Sequence, residues 1–127
     1  MTAGDPIYFA TCTEVPDGDP DDRLAIDELA RCGLVAEPRV WDDATVDWSA
    51  AALTVLRSTW DYSRRAAQFV DWACRVPRLA NPPAVVEWNV DKRYLLDLIA
   101  DGIATVPTTI VEPWSDEPTI ARSIDAA

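Results

Sequence analysis

Six consecutive residues, Arg57, Ser58, Thr59, Trp60, Asp61 and Tyr62, close the apolar run AALTVLR (51–57) and extend beyond it. A solvated turn has no need of a guanidinium, two hydroxyls, a carboxylate and two large rings side by side. A ligand pocket can use each of them. Arg57 can clamp a carboxylate or phosphate in bidentate fashion. Ser58 and Thr59 offer hydroxyls, and Trp60 and Tyr62 can form a wall. A plainer reading has Arg57 pair with Asp61 or a nearby acid, while the rings cover the end of a sheet. The residue types alone leave both open.

Other chemistries are narrowed by what the chain holds. It has no histidine, which removes His-based general bases, Ser-His-Asp triads and most zinc sites. Glycine stands only at 4, 18, 33 and 102, too sparse for a Walker A loop or a dinucleotide fingerprint. Asp17, Asp19, Asp21 and Glu28 fall on calcium-loop spacing, with Leu24 at the apolar position. But Asp22 replaces the turn glycine, Pro20 intrudes and a strand precedes, so an acidic helix start explains them better. Lys92, the sole lysine, is either an ordinary solvated side chain or faces an anion at a helix end. Cys12, Cys32 and Cys74 read as small buried hydrophobes of a cytoplasmic protein.

A net charge of -11, from 11 basic and 22 acidic residues, repels phosphate backbones and argues against a nucleic-acid partner. No apolar run is long enough to span a bilayer, so no membrane partner is expected. MTAGDPIYFATC has no basic n-region and reads as mature sequence.

The elements that must position these groups follow from periodicity. Residues 7–12 predict a strand. Asp19 caps a helix with Pro20 in its first turn, Asp21 and Asp22 at its positive end, Leu24, Ala25, Leu29 and Cys32 inward, and Gly33 as its stop. Residues 34–41 predict a strand near an edge because of Pro38, and 51–57 a third. Ser63 is expected to cap a helix over 64–76, with Ala66, Phe69, Val70 and Ala73 inward and Pro77 as its end. A short fourth strand (77–81), a helical piece (84–89), a helix over 91–102, a strand over 103–111 and a weak tail helix complete the reading. The alternation predicts an α/β fold: a small doubly wound, Rossmann-like parallel sheet of about four strands. Ligands of such sheets bind beyond the carboxyl ends of the strands, here Cys12–Asp17, Arg57–Tyr62 and Asn81–Pro83.

VLRSTWDY (55–62) and NPPAVVEWNVDKRYLLDLIADGIATVPTTIV (81–111) resemble the N-terminal part of bacterial ATP-grasp ligases, notably the glutathione-synthetase-like proteins and cycloserine-biosynthesis cyclo-ligases. The similarity runs from DDRLAIDELARCG onward. It implies a pre-ATP-grasp domain over 1–102 and, over 103–127, the first strand and helix of an incomplete central domain. It implies the N-terminal, substrate-side portion of a carboxylate–amine ligase that works through an acyl-phosphate. RSTWDY, residues 57–62, would serve a small amino-acid-like carboxylate substrate, with Arg57 meeting the carboxylate. Lys92 would approach nucleotide phosphates, with Asn89, Asp91 and Arg93 positioning it. ATP and Mg would be held by the parent's later domains, so this chain is expected to be truncated, inactive alone and without tight cofactor binding. Its partner would be the missing ATP-grasp domain, in cis or in trans. Apart from the resemblance, the exposed TIARSIDAA and the bare edge beyond VPTTIV suggest a second copy, in a homodimer. The alternative is a non-catalytic flavodoxin-like binding or interaction module. A receiver of that type is disfavoured, because strand three ends in Arg57 and Cys12 and Thr13 follow strand one.

Overall fold

A computed structural model describes residues 4–112 and 114–125. Residues 1–3 of the N-terminal run, Pro113, and the end of the tail stretch (126–127) lie outside the described residues. The chain divides into two compact units, one ending at Val90 and one starting at Asp91.

The first unit is built on strands β1 (Ile7–Thr11), β2 (Ala36–Val40) and β3 (Leu53–Leu56), all parallel, in the order β2-β1-β3. The predicted fourth strand shrinks to one parallel bridge, Thr54 to Leu79, made by Thr54 N–H to Arg78 O and Ala80 N–H to Thr54 O. Pro77, Pro82 and Pro83 bracket that segment and carry no N–H, which leaves too few donors to extend the ladder. Pro38 sits on an edge strand, where its missing donor is tolerated.

Helix α1 (Pro20–Arg31) begins where the local signals place it. The Asp19 carboxylate accepts from Asp22 N–H at 2.8 Å, and the Asp22 carboxylate accepts from Asp19 N–H at 3.1 Å, a reciprocal capping box. Its predicted inward face is only partly inward. Ala25 and Leu29 are half-buried, but Leu24 is 69% exposed and Cys32 is exposed, as is Cys74; only Cys12 is a buried thiol. The one fully buried residue of α1 is Asp22.

The core lies on the other face of the sheet. Tyr8 and Ala10 alternate with Phe9 and Thr11 along β1, Cys12 follows directly, and all five are buried. Ala10 and Cys12 join Phe69, Trp72 and Ala73 of α2 (Ala66–Arg75), together with Trp41 and Val86. Trp41 meets Phe69 and Trp72 edge-on at 5.2 and 5.8 Å, and Trp48 meets Trp72 at 5.0 Å. Ser63 does not cap α2. It lies inside a 3-10 helix over Trp60–Arg64, and Arg65 takes the N-cap position without a side-chain cap. Helix α3 (Pro83–Val90) follows and packs on α2.

In the second unit, α4 (Tyr94–Ala100) starts later than predicted, because the Asp91 carboxylate turns the chain by accepting from Arg93 N–H at 2.9 Å. Residues 103–112 form no ladder among the described residues, correcting the predicted strand. A strand exists only by pairing, and this stretch pairs with none of the described strands. Helix α5 (Glu117–Asp125) is the tail helix.

Candidate functional site

In the order β2-β1-β3 the chain goes from β1 to one neighbour and then crosses to the other. The order in which strands are laid down therefore reverses between β1 and β3, and the crevice beyond their carboxyl ends is where ligands of open α/β sheets bind. Two sequence-predicted segments converge there: the turn after β1 leading into α1, and Arg57–Tyr62 after β3.

Asp22 ties them together. It is 0% exposed, and its two oxygens accept from three groups: Arg57 Nε on one, Ser58 Oγ (2.6 Å) and Asp19 N–H on the other. Ser58 Oγ also lies 3.1 Å from Asp19 Oδ2. The Asp19 carboxyl is held below its ordinary value, first by the N–H of Asp22. The positive pole of α1 is thus taken by the chain's own carboxylates. Gly18 makes room for this: its φ is +77°, and a Cβ there would stand 2.9 Å from Asp22 Cβ.

Arg57, the predicted clamp, is thus anchored through Nε to a nearby acid, although to Asp22 and not Asp61. Its guanidinium lies 5.8 Å from the Phe9 ring centre and is 37% exposed. Among the described residues, Asp22 is its ion-pair partner. Ser58 and Thr59 are buried, Trp60 is 55% exposed, and Tyr62 is half-buried against Phe69 at 5.5 Å.

Asp61 belongs to a separate cluster. Its Oδ1 accepts from Trp41 Nε1 at 2.9 Å, and its Oδ2 pairs with Arg65. Arg65 also pairs with Asp42 and stacks over Trp41 at 4.6 Å. Burial raises the Asp61 carboxyl, and the bonds from Trp41 and Arg65 outweigh it, so the net direction is downward. Arg65 was not legible as part of the site, although its spacing of four from Asp61 is a helical pairing signal.

A groove of about 320 Å³ lies between the 3-10 helix, α2 and α3. Leu56, Thr59, Tyr62, Phe69, Asn81 and Asn89 are among its lining residues. Two of the six predicted residues, Thr59 and Tyr62, thus share a cavity, and Asn81 joins them from the third predicted segment. Lys92 falls in the second unit, in the turn before α4, with its Nζ 5.4 Å from the Tyr94 ring centre. The described residues contain no helix long and apolar enough to cross a membrane.

The family model of the D-cycloserine synthetase DcsG N-terminal domain matches residues 7–81, more than half of the chain. The chain belongs to that family. The cycloserine biosynthesis protein DcsG of Streptomyces lavendulae is 44% identical over 98 residues, 75% of this chain and 33% of that protein. The crystal structure of D-cycloserine synthetase DcsG superposes with a TM-score of 0.72 at 36% identity, covering 94% of this chain and 41% of that one. The chain therefore spans about a third of the curated relative it matches. The resemblance read from VLRSTWDY and the 81–111 motif is borne out at the level of a cycloserine-ligase N-terminal portion.

Proposed function

We propose that this chain is the substrate-side portion of an ATP-grasp carboxylate–amine ligase related to D-cycloserine synthetase, and that it does not turn over alone. The observation that carries the reading is the 44% identity to the cycloserine protein over a region about a third of that protein's length. In this reading Arg57 meets the substrate carboxylate. Asp22 fixes Nε and so presents the guanidinium in one orientation. Ser58 braces Asp22, and Thr59 and Tyr62 line the groove. Trp60 is the exposed ring available to cover a bound ligand.

The described residues do not by themselves fit Mg and ATP. The α1 pole is already filled by Asp19 and Asp22, and no three acidic or thiol side chains cluster as metal ligands among the described residues. In this reading nucleotide and metal are held by the remainder of the ligase, supplied in cis or in trans, with Lys92 as this chain's contribution near the phosphates. The test is amino-acid-dependent ADP release. The chain alone should give none, and mixing it with the complementary two thirds of the Streptomyces relative should restore it. Turnover by the chain alone, or a mixture as silent as its parts, overturns the assignment.

A further inference from the structure

The groove beside the Arg57–Tyr62 loop carries a feature the carboxylate reading does not use: none of its lining residues is charged. The ionic groups around it lie outside its lining. Arg57 is held by Asp22, and Asp61 by Trp41 and Arg65. Glu87 of α3 lines a different groove, with Ala66 and Cys74. What remains is an apolar floor of Phe69, Val86 and their neighbours, with Thr59, Asn81 and Asn89 at its polar positions. Asn81 and Asn89 are exposed, and their amides have no hydrogen-bond partner among the described residues.

We infer that this groove is a binding subsite for an uncharged, hydrogen-bonding part of a small ligand, and that it discriminates against carboxylates and ammonium groups. An ion entering it surrenders hydration and finds no counter-charge. A neutral amide or hydroxyl exchanges water for asparagine groups that both donate and accept, at little net loss. The inference rests on the substrate-side reading. It adds that the ligand's charged end stays outside the groove while its uncharged part fills it. At about 320 Å³ the groove has the volume of a small-molecule site.

The test uses the full 127-residue chain and three probes of similar length and three charges: 3-phenylpropionamide, 3-phenylpropionate and 3-phenylpropylammonium. Amide NMR shifts at residues 59–62 and 81–90 report occupancy. The amide should bind about tenfold more tightly than either ion, the size of one hydrogen-bonding mismatch. The preference should persist at about 0.5 M salt, where repulsion by the acidic surface is screened. The Asn81→Leu, Asn89→Leu double variant alters exposed residues only and should erase the amide's advantage. The proposal fails if either ion binds as tightly as the amide, or if no probe shifts the groove. Neither result touches the ADP-release experiment, which uses no probe, and silence there leaves this titration interpretable.

Discussion

Asp22 and Asp61 are two carboxylates withdrawn from water, each paired with an arginine, yet they are built differently. Asp22 is 0% exposed and, through three donors, joins two segments: the α1 cap and the Arg57–Ser58 turn. The Asp61 side chain is 12% exposed and joins the end of β2, through Trp41 and Asp42, to the entry of α2 through Arg65. The first organises the crevice between β1 and β3, and the second fastens the loop that leaves it. A buried acid with three donors stabilises by leaving none of its partners unmatched, so its loss should be felt throughout the unit.

That contrast can be broken most severely at Asp22. Asp22→Ala removes the reciprocal half of the capping box, one of the two acceptors of Ser58 and the ion-pair partner of Arg57, so unfolding free energy should fall by about 3 kcal/mol, moderated by the partial exposure of Arg57. Asp22→Asn keeps the shape but loses the charge and should fall between wild type and Asp22→Ala; a urea midpoint equal to that of wild type would refute the charge-pair role.

Asp61→Asn should cost about 1–2 kcal/mol at neutral pH, because a bond to Arg65 is lost while Trp41 keeps an acceptor. The sign of its pH dependence follows from the lowered folded-state value. The contribution is complete above the unfolded value of about 3.9 and disappears as pH falls through the lower folded one. Below about pH 4 the wild type should therefore lose stability faster than Asp61→Asn, and parallel acid limbs would contradict the argument.

The smallest effect belongs to Thr54, whose buried Oγ1 has no hydrogen-bond partner among the described residues. Thr54→Val should be neutral or stabilising by up to about 1 kcal/mol in thermal unfolding. A clear loss would reveal a partner for that hydroxyl.

The same comparison explains what could be read in advance. The cap at Asp19 and Pro20, the edge position of Pro38 and the stop at Pro77 are settled by neighbours in sequence, and the structure has them all. The pairing of Arg57 with Asp22 spans thirty-five positions and leaves no local trace. Ser63 has the right chemistry for a cap, but the 3-10 helix that contains it pushes the start of α2 to Ala66. Leu24 follows the helical stripe and still faces solvent, since α1 buries Asp22 where a larger apolar contact was expected. The 103–111 stretch has β-prone composition, but composition does not supply a neighbouring strand.

The packing of Trp41, Trp48 and Trp72 has a spectroscopic consequence. Indoles at 5.0 to 5.8 Å and steep mutual angles couple their electronic transitions, which gives near-ultraviolet circular dichroism a strong signature of this one region. Because Trp41 also donates to Asp61 and lies under Arg65, that optical signal senses the loop's fastening from within, with no label attached.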